Sequence, residues 1–148
     1  MLKFLKSFPD DVRKNALLLR DFVWELYPQC NELIYDNYNA LAIGWSLTDK
    51  ATGVFCSIAI FGKYIRFGLN RGSELNDDEE LFEGKGSLYR SLKVENFDML
   101  PKTYVKKMLK KAYVNSFARL KDKKRIIRGK SIVKLALPVK KRPNQFNY

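Results

Sequence analysis

The sequence predicts an α+β fold, with an antiparallel sheet of about five or six strands and two long helices packed on one face as a two-layer sandwich. Three observations carry that expectation. A helical stripe runs near the start, four strand-like segments joined by short turns follow it, and a second helical stripe lies beyond residue 100.

The first helix is written in "SFPDDVRKNALLLRDFVWELYP". Ser7 is placed to cap, Asp10 stands three residues on as in a capping box, and Pro9 falls in the first turn. Val12, Ala16, Leu19, Val23 and Leu26 recur at spacings of four and three and form one apolar stripe. Arg13, Lys14, Arg20, Asp21 and Glu25 supply the solvated side, and Pro28 stops the helix.

Strands are expected at about Glu32–Asp36, Ala40–Leu47, Val54–Phe61 and Tyr64–Leu69. "TDKATG" and "GK" are short enough to make hairpins of the last three. Leu41, Ile43, Trp45 and Leu47 alternate with Ala40, Ala42, Gly44 and Ser46, so one face of the strand is large and the other small. Ser57 and Ala59 continue the small set, and close packing of a helix on these residues is the simplest use for them. "RGSELNDDEELFEGKGSLYRSLKV" then predicts a short acidic helix, a glycine loop and a fifth strand near Leu88–Val94. "DMLPKTYVKKMLKKAYVNSFARL" reads as the second long helix, with Pro101 in its first turn and Val105, Met108, Leu109, Ala112 and Ser116 facing inward. Lys102, Lys106, Lys107, Lys110 and Lys111 coat much of its other side.

Composition narrows the chemistry. At 148 residues with 46% hydrophobic content the chain suits one globular domain. It contains no histidine, which excludes Ser-His-Asp and Cys-His nucleophile systems and histidine-ligated zinc. Cys30 and Cys56 are isolated in apolar surroundings and read as reduced core residues of a cytoplasmic protein. No apolar stretch approaches a membrane span, and "MLKFLKSFPDD" is a poor signal peptide.

Charge divides the chain into a domain over residues 1–120 and a basic C-terminal extension over 121–148. The extension holds 10 Lys+Arg against one acidic residue, Asp122, and so carries +9 of the formal +12. Its aliphatic stretch "SIVKLALPV" is suited to docking as an extended strand, which leaves Lys140, Lys141 and Arg142 as candidates for weak, non-specific polyanion contact.

"ELIYDNYNALAIG", "VFCSIAIFGKYIRFGL" and "RGSELNDDEELFEGKGSLYRSLKV" resemble the YdhG-like domain of unknown function over roughly residues 5–115. Tyr35-Asp36-Asn37-Tyr38-Asn39 and the series Gly72, Leu75, Asp77, Leu81, Gly84, Gly86 and Arg90 carry the resemblance. It implies a small α+β fold and no established enzymatic activity. Some members are described as frataxin-like iron chaperones for iron–sulfur assembly.

Three groups of residues are candidate sites. Tyr35, Asp36, Asn37, Tyr38 and Asn39 combine flat apolar rings with donors and acceptors suited to a small polar ligand, although Asn and Asp also favour turns. Arg71 and Arg90 are suited to clamp an anion or to pair with nearby carboxylates. Asp77, Asp78 and Glu80 are hard ligands in an acidic run without EF-hand spacing, and serve equally as N-terminal charges of a short helix. "EGKGSLYR" lacks the phosphate-loop spacing and reads as a turn into a strand. The expectation is a non-catalytic binding domain that needs no cofactor and holds a small polar ligand near "YDNYN". A frataxin-like iron-binding protein and a weak nucleic-acid binder acting through the tail are the alternatives.

Overall fold

The computed structural model describes residues 1–123 and 129–140. A short helix α1 (Leu2–Leu5) precedes α2 (Asp10–Leu26), then β1 (Asn31–Asp36), β2 (Leu41–Ser46), β3 (Val54–Ile60), β4 (Ile65–Leu69), β5 (Arg90–Val94), α3 (Lys102–Ala118) and β6 (Ser131–Ala136). The fold is α+β. Its six strands lie in the order β5-β4-β3-β2-β1-β6, antiparallel except that β6 runs parallel to β1. No helix among the described residues is long and apolar enough to cross a membrane.

Both long helices follow their apolar spacing. Val12, Ala16, Leu19, Phe22 and Val23 of α2 and Tyr104, Val105, Met108, Leu109 and Ala112 of α3 are buried. Pro9 and Pro101 occupy the N-cap positions themselves, so α2 is capped two residues after the expected Ser7. Arg20, expected on the solvated side of α2, instead reaches back to the sheet, as described below.

The two faces of the sheet are sorted by side-chain size. Leu41, Ile43 and Trp45 of β2, Cys56, Ile58 and Ile60 of β3, and Ile65, Phe67 and Leu69 of β4 join one core cluster with the helices. Alternation sends their neighbours to the opposite face. There Leu33, Gly44, Ser57, Gly68 and Ser91 align across β1 to β5 in one register row, and Tyr35, Ala42, Ala59, Arg66 and Lys93 in the next. Neither α2 nor α3 packs on the small residues, contrary to the expected close packing, because the large alternating set already provides the apolar surface that these helices bury. Part of the small face is covered by Tyr89, which lies over Gly68. A Cβ added at Gly68 would stand 1.8 Å from the Tyr89 hydroxyl oxygen.

The tail strand is fastened at both ends by buried polar groups. At its entry the Glu32 carboxylate accepts from Arg20 Nε at 2.5 Å, Arg20 Nη2 at 3.0 Å, Trp24 Nε1 at 3.1 Å and Ser131 Oγ at 2.7 Å. Glu32 itself is fully buried, so these donors replace the water that it lost on folding. The Asn31 side chain donates to the Thr48 carbonyl and accepts from the Lys130 backbone N–H. At the exit, the Leu137 N–H donates to the Asp36 carbonyl, and Lys140 Nζ stands 2.7 Å from the Asp36 carboxylate.

Candidate functional site

The expected ligand residues fall at opposite ends of the sheet. Asp36 pairs with Leu41 at one end, and the register carries that end through Ile60 and Ile65 to Val94. Arg71 and Arg90 belong to the other end, where Leu69 pairs with Arg90. The YDNYN group and the arginine pair are therefore separated by the length of the strands.

At the first end, "YDNYN" is the β1–β2 hairpin. The Asn37 N–H donates to both the Tyr35 and Ala40 carbonyls, at 3.0 Å each, which satisfies the turn through its backbone. Asp36 is buried against Lys140, so a ligand candidate and a polyanion candidate neutralise each other. Lys141 and Arg142 lie outside the described residues. The side chains of Tyr35, Asn37, Tyr38 and Asn39 make no hydrogen bond among the described residues, and Tyr38 and Asn39 are exposed. The clefts lined by Leu92–Pro101, by Arg71 and Arg119, and by Lys107–Ala118 do not include them.

The acidic run is not a helix. After a single 3-10 turn at Gly72–Glu74 it proceeds as turns, with Glu80 at φ 52 in the left-handed region. The cause is Asp77. Its carboxylate accepts from the Leu81 and Phe82 backbone N–H groups, at 3.3 and 2.9 Å, and from the Tyr104 hydroxyl. Those side-chain bonds compete with the helical ladder. Asp78 turns instead to Lys107 Nζ at 2.7 Å, which holds its carboxyl below the usual range. Asp77, Asp78 and Glu80 therefore do not converge, and no group of three or more His, Cys, Asp or Glu among the described residues is placed to hold a metal ion.

At the second end a cleft of 390 Å³ opens between the β2–β3 hairpin, the exit of β4 and the last turn of α3. Its polar lining comes from Thr52, Asn70, Arg71, Tyr89, Ser116 and Arg119, and its apolar lining from Val54, Leu88 and Leu120 among others. Arg71 adopts φ 58 and is forked onto Glu74, with Nε at 3.0 Å from both carboxylate oxygens and Nη2 at 2.6 Å from Oε1. These bonds, assisted by Asn115, hold the Glu74 carboxyl down at about 2 and raise the Arg71 guanidinium further. Arg71 Nη1 and the whole Arg119 guanidinium make no hydrogen bond or ion pair among the described residues. Arg90 does not share the cleft. Its Nη1 donates to the Gly86 and Tyr89 carbonyls at 2.6 and 2.8 Å and ties the glycine loop to β5. Gly84 permits that loop to close, since a Cβ there would stand 2.7 Å from the Tyr89 carbonyl oxygen.

Arg119 and Asn70 are the residues that sequence reasoning missed. An arginine after a lysine-coated helix carries no local signal of a site, and its meeting with Arg71 depends on how α3 lies across the sheet. Neither cysteine offers an alternative reactive centre. Burial pushes the Cys30 thiol up to about 12 and the Cys56 thiol well above its ordinary value. No family model matches the chain, and neither a curated protein nor a solved structure does.

Proposed function

We propose that this chain is a non-catalytic, cytoplasmic binding domain of the YdhG-like kind. Its ligand is a small molecule that joins an anionic group to an apolar body, held in the cleft of Arg71 and Arg119. One observation carries the reading. Arg119 brings a guanidinium with no hydrogen bond or ion pair among the described residues to a cleft that also has Arg71 Nη1, Asn70, and apolar surface from Val54, Leu88 and Leu120. Guanidinium groups match carboxylate and phosphate oxygens in a planar fork, and the apolar lining favours a body attached to that anion. Glu74 offsets one of the two arginines, which leaves a net positive site without excess charge. The buried, thiol-form cysteines support the cytoplasmic assignment.

Benzoate, phenyl phosphate and inorganic phosphate serve as probes in thermal melts and calorimetry. Benzoate or phenyl phosphate should raise the melting temperature of the full chain, phosphate alone should do so less, and Arg119→Ala should abolish the effect. If none of the three binds, or if binding persists unchanged in Arg119→Ala, the cleft is not the site. Protein-dependent turnover of the phenyl phosphate, lost in a point variant, would overturn the non-catalytic part.

A further inference from the structure

Helix α3 presents a second organised face, turned away from the core. Lys107, Lys111, Val114 and Ala118 succeed one another at helical spacing, with Lys110 and Asn115 beside them. Leu75 and Glu74 of the loop complete a groove of 630 Å³. Val114 is 57% exposed within it, an uncovered aliphatic side chain in the C-terminal half of α3. The helix side of the rim is basic, with Lys107, Lys110 and Lys111 set against one lining carboxylate, Glu74 of the loop. Helix α3 carries five lysines and no carboxylate.

The loop already shows what this rim accepts. Asp78 sits on Lys107 at 2.7 Å, the Asn76 carbonyl accepts from Lys111 Nζ at 2.7 Å, and the Glu74 carboxylate accepts from Asn115 Nδ2 at 3.1 Å. These contacts hold two of the three lysines in place. They stop short of Lys110, whose ammonium makes no hydrogen bond or ion pair among the described residues, and of Val114. A surface that mixes fixed cations with an open aliphatic floor matches a peptide that has both carboxylates and an aliphatic anchor. The groove contains no aromatic ring on which a base could stack, which argues against nucleic acid as its occupant. We propose that the Lys107–Ala118 face of α3 docks an acidic peptide segment of a partner protein, with an aliphatic side chain seated against Val114 and Leu75 and a carboxylate on Lys110. The groove shares Glu74 with the arginine cleft but neither arginine, so the two sites separate by mutation.

The probe is a fluorescein-labelled peptide of Glu-Glu-Asp-Leu repeats, followed by anisotropy on the full chain. Its analogue with every Leu replaced by Gly reads the anchor, and a single-stranded RNA of equal charge reads general polyanion binding. Lys110→Glu and Val114→Asp should each weaken the Leu-containing peptide by about tenfold or more. Lys63→Glu, the same charge change in the exposed β3–β4 turn, should leave it unchanged. Both altered α3 positions are exposed, and unchanged melts together with the milder Val114→Ala separate lost docking from lost folding. Absence of peptide binding overturns the proposal, as does equal weakening by Lys63→Glu or equal affinity for the Gly analogue. Tighter binding of the RNA, sensitive to Lys110→Glu, would reassign the face to nucleic acid.

Discussion

The two faces of the sheet are made from the same strands and obey opposite rules. Towards the helices, β2, β3 and β4 present Trp45, Ile58 and Phe67, all fully buried in one cluster with α2 and α3. On the other side the same strands present Gly44, Ser57 and Gly68, with a half-buried Arg66, and Tyr35 of the neighbouring β1, in the next row. Stability is concentrated on the first face, where apolar area leaves water and packing is dense. Along β2, β3 and β4 the second face has little side-chain volume to lose. The Arg71 cleft opens where the loop from β4 to β5 passes between them. That loop contributes Phe82 to the helix-side core and Tyr89 to the small face.

The sharpest test of this division lies in two adjacent residues of β3. Ile58→Ala, on the helix side, should cost ~2–5 kcal/mol through lost burial and a residual cavity. Ser57→Ala, one residue earlier on the other face, should stay within about 0.5 kcal/mol. Urea denaturation of both variants reads the difference. Comparable losses at the two positions would mean that the small face is as tightly packed as the large one.

A smaller effect should appear where the small face is covered. Gly68→Ala forces the Tyr89 ring to move, at about 1 kcal/mol, the low end for overpacking because the clash falls on the far end of an exposed side chain. In a Tyr89→Ala background the same substitution should cost nothing. A double-mutant cycle gives the coupling. If the cost survives without the tyrosine, strand geometry and not the ring is what requires glycine at this position.

The smallest effect belongs to the loop that joins the faces. The Glu74 carboxyl is held at about 2 against an ordinary value of 4.5, so its bond to Arg71 favours the folded state at any pH above about 4.5. That advantage is lost as pH falls through about 2. The melting-temperature gap between the native chain and Glu74→Gln should be constant near neutrality and close between those two values. A gap that persists unchanged at the acid limit would show that Arg71 does not act through the charge of Glu74.

These residues also mark how far the sequence could be read. Spacing revealed both long helices and the first five strands, because burial of an apolar face at period 3.6 or 2 leaves its trace locally. It did not reveal which sheet face the helices take, since Ala42 and Leu41 are each compatible with a neighbour until the whole surface is assembled. The acidic run was read as a helix from its charges, but Asp77 bonds to backbone N–H groups four and five residues on, and to a tyrosine 27 residues away. Lys140 was counted with the solvated tail charges although its ammonium is buried beside Asp36, an ion pair that spans most of the chain. The arginine cleft was half visible: Arg71 stood out as a cation after a strand, whereas Arg119 acquires its role only through tertiary placement.

The parallel docking of β6 has a consequence for the order in which the protein is made. Ser131 meets Glu32 across 99 residues of sequence, so β1 leaves the ribosome long before its outer partner is synthesised. The β1–β4 meander and α2 can assemble first, through contacts close in sequence, while one edge of β1 stays open and the Glu32 carboxylate lacks its Ser131 donor. An open edge beside a buried charge is a template for wrong pairing with another nascent chain. Translation pauses between α3 and β6 should therefore lower the yield of folded protein, and a chaperone that shields β1 during that interval should restore it.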